Sequence, residues 1–167
     1  MSQNTSTTSR KLTWLVTGCS SGFGLSLARI LQANGHKLIA TSRNPSATPD
    51  LVREVKANGG KWIALDVTSA NTPDTISQLE QSGEHIDVLV NNAGFCKFAP
   101  VETAAEEDIR QQFETMYLGP LRLIKAAIPF MRSRKFGLII NLSSGAAIDG
   151  NPTMGPYAGA KAALDGM

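Results

Sequence analysis

Near the start of the chain, an apolar run passes directly into Thr17-Gly18-Cys19-Ser20-Ser21-Gly22-Phe23-Gly24, and a helix-like stretch follows. Three glycines in the pattern Gly-x-x-x-Gly-x-Gly leave backbone N–H groups uncovered at a helix N-terminus. No Cβ atom then blocks a close approach, and that combination suits a phosphate. A plain tight turn would also use glycine. What favours the phosphate is the position of the segment, between a first strand and a first helix. The residues assigned to this contact are Val16, Gly18, Ser20, Gly22 and Gly24.

The rest of the chain repeats the same alternation. Continuous apolar runs at 12–17, 37–41, 61–65, 86–90 and 137–142 read as buried strands. Helical periodicity covers 24–33, 51–57, a stretch opened by Thr72-Pro73, a long stretch over 105–132, and the segment from 156 onward. Gly119-Pro120 is expected to kink the long helix. Strands alternating with helices predict an α/β fold, a Rossmann-type doubly wound parallel sheet with helices on both faces. The 167 residues suffice for one such domain, here taken as 12–167, preceded by a disordered arm over 1–11 that is polar and rich in Ser and Thr.

Composition narrows the function. Hydrophobic residues make up 42% and charged residues 18%, within the range of a soluble globular chain. A formal net charge of +2 with scattered basic residues gives no nucleic-acid footprint. No apolar run approaches the length of a membrane span. The two cysteines, Cys19 and Cys96, lack metal-ligand or disulfide spacing, so no metal is expected and the reducing cytoplasm is the expected compartment.

The second strand ends in Thr41-Ser42-Arg43, with no acid before Asp50. An acid at this place would grip the 2′-hydroxyl of NAD, whereas an arginine pairs with the 2′-phosphate of NADP. Arg43 therefore favours NADP(H) over NAD(H), with Ser20 as a helper. The alternative is an ordinary surface arginine. Tyr157 and Lys161 are four residues apart on a helix and share a face. A cation about 4 Å from a phenolate stabilises it by roughly 4 kcal/mol at an effective dielectric of ~20, which makes a phenol usable as a base. The alternative is a tyrosine packed beneath a snorkelling lysine.

Thr17-Gly-Cys-Ser-Ser-Gly-Phe-Gly24, Asn91-Asn92-Ala93-Gly94 and Tyr157-Ala-Gly-Ala-Lys161 occur in this order, and together they resemble the short-chain dehydrogenase/reductase family from about Leu12 onward. The resemblance implies an oxidoreductase that interconverts a small-molecule ketone or aldehyde with an alcohol by hydride transfer, with Tyr157 as general acid/base. It implies that Lys161 holds the nicotinamide ribose, that Asn92 lines the cofactor cleft and that Asp66 lies near the adenine. Lys125 matches a cofactor-side lysine loosely, and a solvated helix face explains it equally well. Ser144, thirteen residues before Tyr157, is the expected partner of the substrate oxygen, with Ser143 as the fallback. Phe95, Phe98, Ile148 and Met154 line an apolar pocket or belong to the core.

Two departures from the family pattern stand out. The family places an Asn, which holds a water in the proton relay, where this chain has Met116. A thioether donates no hydrogen bond, so a slower relay is expected. The chain also stops at Met167, inside the helix that carries Lys161, so the C-terminal strands of the sheet are expected to be missing. That would leave 137–142 as an exposed apolar edge. Family members pair as homo-oligomers through two long helices, and because one of these is cut here, a dimer is not carried over. The alternative function is a truncated, non-catalytic dinucleotide-binding or interaction protein of the same fold.

Overall fold

The computed structural model describes residues 10–167, so the arm expected over 1–11 lies outside the described residues apart from Arg10 and Lys11. Five strands form one parallel sheet: β1 (Thr13–Val16), β2 (Lys37–Ser42), β3 (Lys61–Ala64), β4 (Val88–Asn91) and β5 (Leu138–Asn141). Their order across the sheet is β3-β2-β1-β4-β5. The chain winds outward from β1 to β3, then crosses back over β1 and winds the other way. The point of reversal lies between β1 and β4, and a crevice opens there at the carboxyl ends of the strands.

Side chains alternate along each strand, and the alternation builds two cores. Leu15, Ile39 and Leu89 point to one face, where they meet Ile76 of α3 (Thr72–Gln81) and Leu123, Ala127 and Met131 of α5 (Gly119–Ser133). Val16, Leu38, Ala40, Val88 and Val90 point to the other, against Ala28 and Leu31 of α1 (Gly22–Ala33) and Val55 of α2 (Pro49–Ala57). A parallel sheet buried on both faces explains why the strands read as unbroken apolar runs.

The long helical stretch differs from its expected form. It divides into α4 (Glu106–Phe113), a π turn over Glu114–Leu118, and α5. Pro120 has no N–H to offer, and the Gly119 N–H reaches back five residues to the Glu114 carbonyl. The ladder therefore adjusts before the Gly-Pro pair through a widened turn. Gly119 also lets this point press on the segment after β3, because a Cβ there would sit 2.9 Å from the Val67 carbonyl oxygen. The first helix starts at Gly22 rather than Gly24, and the fourth strand at Val88 rather than Ile86. The last helix, α6 (Gly155–Asp165), packs on α4 and the π turn. Among the described residues, no helix is long and apolar enough to cross a membrane. β5 pairs with β4 alone, and Leu138 at its start is exposed.

Candidate active site

The crevice at the switch point is a cleft of about 1010 Å³. It is lined by Gly18, Ser20 and Gly22 of the glycine loop, by Asn92 bonded to that loop, by Arg43 and Asp66, and by Tyr157 and Lys161 of α6. Most of the residues singled out in the sequence thus meet in one place, although they come from five different segments.

The glycine loop is shaped by contacts with the end of β4. Gly18 has φ +73°, and a Cβ on it would lie 2.9 Å from the Ala93 Cα. A Cβ on Gly24 would lie 2.3 Å from the Gly18 carbonyl oxygen and 2.5 Å from the Asn92 Nδ2. Gly22 has φ +56° and nothing within 4 Å of its Cβ position, so the loop is open at that point. A flat backbone facing open space at the first turn of α1 fits a dinucleotide pyrophosphate.

Thr17 and Asn92 tie β1 to β4. The Thr17 hydroxyl donates to the Val90 carbonyl (3.2 Å) and accepts from the Asn92 and Ala93 N–H groups (both 3.0 Å). The Asn92 side-chain amide donates to the Thr17 and Gly18 carbonyls (2.7 and 3.1 Å). Thr17 was not singled out in the sequence. Its role depends on a strand about seventy positions away, and a threonine at a strand end gives no local signal of it.

On the opposite wall, α6 carries Tyr157 and Lys161 one turn apart, and the Lys161 Nζ lies 5.9 Å from the Tyr157 ring centroid. Lys161 is buried, and its ammonium donates to the Leu142 carbonyl just past β5. Burial pulls its pKa below the ordinary lysine value, and Asp165 pulls weakly the other way. Arg43 is exposed on the rim and forms no salt bridge among the described residues, which leaves its guanidinium free for an anion. The Asp66 carboxylate accepts from the Thr68 N–H and hydroxyl (3.0 and 2.8 Å), which fixes the turn after β3 beside the cleft.

Four of the expected site residues do not line the cleft. Val16 is fully buried in the core beneath the loop, so it supports the glycines rather than touching a ligand. Gly24 is buried against Gly18 and acts by its lack of bulk. Lys125 is exposed on α5 away from the cleft, which agrees with a solvated helix face. The Ser144 hydroxyl accepts from the Ala146 N–H (3.2 Å), capping a short 3₁₀ turn over Gly145–Ala147, while its neighbour Ser143 lines the cleft. Of the apolar candidates, Phe95 lines the cleft, whereas Phe98 and Ile148 are exposed beside it and Met154 is not part of it. Cys96, which lines the cleft, was not assigned to it from the sequence. Cys19 is buried beneath the loop, and its thiol is pushed up to about 11 by burial, which makes it a poor nucleophile.

A family profile described as short chain dehydrogenase matches residues 13–167. Oxidoreductase claN of Passalora fulva is 40% identical over 155 residues, which cover 92% of this chain and 71% of that protein. A short-chain dehydrogenase from Streptomyces avermitilis superposes with a TM-score of 0.88 at 36% identity, over 95% of this chain and 58% of that one. A gluconate 5-dehydrogenase from Burkholderia cenocepacia in complex with NADP and tartrate gives 0.85 at 30% identity, over 92% of this chain and 61% of that one. An NAD+-bound xylitol dehydrogenase also gives 0.85, at 29% identity over 92% of this chain and 60% of that one. The chain spans only 53–57% of the length of several other curated relatives it matches.

Proposed function

The chain belongs to the short chain dehydrogenase family, and from that premise we propose that it is an NADP(H)-dependent oxidoreductase that interconverts a ketone or aldehyde with the corresponding alcohol. The observation that carries this reading is the convergence of the glycine loop, Arg43, Tyr157 and Lys161 on a single cleft. A bound nicotinamide dinucleotide would supply or accept the hydride. The chain's own part is to hold that group, orient the substrate and move one proton.

Gly18, Gly22 and Ser20 would hold the pyrophosphate at the first turn of α1, and Arg43 and Ser20 would take the 2′-phosphate. Asp66 would lie near the adenine, and Asn92 would line the cofactor cleft. Lys161 would offer its cleft-side N–H groups to the ribose. The Tyr157 hydroxyl gives its proton to the substrate oxygen during reduction and takes it back during oxidation. Ser144, next to the cleft-lining Ser143, would steady the same oxygen, with Ser143 as the fallback. Capping the 3₁₀ turn uses only an acceptor lone pair of its hydroxyl, so the O–H remains free to donate. NADP and NAD both occur among the solved relatives, so the preference rests on Arg43. Nothing in the site favours the non-catalytic alternative, because Tyr157 and Lys161 both face the cleft.

Fluorescence titration of the purified chain tests the cofactor. NADPH is expected to bind more tightly than NADH, and Arg43→Ala should weaken NADPH by about 10- to 100-fold, the worth of a charged hydrogen-bonded contact, with little effect on NADH. Tyr157→Phe should keep NADPH binding and abolish carbonyl reduction. Equal affinities that Arg43→Ala leaves untouched would overturn the NADP preference. Turnover surviving in Tyr157→Phe would overturn the acid/base role.

A further inference from the structure

Lys161 is 5% exposed, yet the described hydrogen bonds give its ammonium one acceptor, the Leu142 carbonyl. An ammonium carries three N–H donors. Its flank next to β4 meets Gly94 and, beyond it, Met116. A Cβ built on Gly94 would be 3.7 Å from the Lys161 Nζ and 3.3 Å from both the Cγ and the Sδ of Met116. The ammonium and the thioether thus both border the open face of Gly94, each within van der Waals reach of the place a Cβ would take. Met116 is 1% exposed and is fixed within the π turn, which packs on α6.

We propose that Met116 is a positioning residue for Lys161: its thioether and the Gly94 backbone wall off one flank of the ammonium, so the N–H groups not held by Leu142 are directed to the cleft. Sulfur accepts hydrogen bonds only weakly, so the thioether returns little of the hydration it excludes. Met116 therefore contributes to the desolvation that disfavours the charged lysine.

Other charges around Lys161 do not supply this effect. Asp165 and Tyr157 lie on its own helix, and Asp165 acts in the opposite sense. On α4, Glu106 is paired with Arg110 and Asp108 with Lys97, while Glu107 is exposed. In the π turn, Glu114 is paired with Arg122, and Tyr117 is the other titratable group. The 3₁₀ turn over Gly145–Ala147 carries no titratable side chain, and Asp149 beyond it is exposed.

The test is the titration of Lys161 in the chain without cofactor, read from its ¹³Cε NMR shift and assigned with Lys161→Arg. Met116→Gln, of similar length but able to accept a hydrogen bond, should raise the midpoint by about half a pH unit or more. Met116→Ala, which admits water without burying an amide, should raise it too and covers the case in which the glutamine variant does not fold. Met116→Leu, an apolar replacement, should leave it in place. A midpoint unmoved in the folded polar or truncated variant, or moved equally by Met116→Leu, overturns the proposal. The catalytic consequence, an alkaline limb of turnover that shifts with the midpoint, rests on the proposed enzyme. A shifted midpoint without turnover in any form removes only that enzyme. Intact turnover with an unmoved midpoint removes only the role of Met116.

Discussion

Gly22 and Gly24 stand two residues apart in one loop and are required for different reasons. At Gly24 the conformation is ordinary but the space is absent, since a Cβ would collide with the Gly18 carbonyl and the Asn92 amide. At Gly22 the space is open but φ is +56°, a region that costs an L-residue about 1–2 kcal/mol. Gly24→Ala must push apart two hydrogen-bonded segments, with an expected cost of about 2–3 kcal/mol. Urea unfolding should therefore rank Gly24→Ala as the more damaging change, and NADPH titration should show the greater loss of binding for it. The reverse order would contradict the geometry. The sequence spacing disclosed that backbone had to pass close to something here. It did not disclose that one glycine is crowded by the chain itself, because the Gly18 carbonyl turns toward it only in the folded loop and the Asn92 amide arrives from the end of a distant strand. The same limit applies to Val16, where adjacency to the loop suggested contact and strand alternation turned the side chain into the core.

At the scale of elements, the cleft depends on how the ends of β1 and β4 are locked. Thr17 carries that lock with one hydroxyl, which accepts two N–H groups and donates to the Val90 carbonyl. Thr17→Val keeps the shape and strands the Ala93 N–H, while the Asn92 N–H keeps the Val90 carbonyl (3.2 Å), at an expected cost of about 1–3 kcal/mol. Because the same groups place Asn92 and Gly18, thermal stability and NADPH affinity should fall together. A loss of stability with unchanged affinity would show that the loop keeps its shape without the lock. The elements themselves were legible in the sequence because a parallel sheet buried on both faces writes each strand as an apolar run. The π turn was legible only as a break at Gly119-Pro120. Its residues, Glu114 to Leu118, precede the proline because the missing N–H is felt by carbonyls earlier in the helix.

Across the whole molecule, the two ends of the sheet divide the work. The carboxyl ends of the strands hold the cleft, with its loops and cleft-facing polar groups. The opposite end is closed by buried charge. Glu80, at the end of α3, has a carboxylate only 1% exposed that accepts both terminal nitrogens of Arg134 (2.6 and 3.0 Å) and the Ile86 N–H (3.0 Å). Arg134 also donates to the Ile86 carbonyl (2.9 Å), so α3, α5 and the entry to β4 meet at one ion pair. Nearby, Glu84 receives Lys37 and Lys61 from the starts of β2 and β3, and these hydrogen bonds hold its carboxyl below the usual range. Neither cluster was foreseen, because each joins charges from separate helices and strands that look solvated when read singly. Arg134→Met leaves the Glu80 carboxylate buried without its counter-charge, which costs about 3 kcal/mol or more. For a chain of this size that corresponds to a fall in melting temperature of roughly 6–12 °C. The pair lies at the end of the sheet away from the cleft, so NADPH affinity at 25 °C should be unchanged as long as the chain remains folded. A calorimetric melt beside an NADPH titration of the same variant separates the alternatives. A lowered melting temperature with parental affinity means that the buried charge holds the fold and the cleft is a separate device, whereas a matched loss of affinity means that the helices anchored at one end set the geometry at the other.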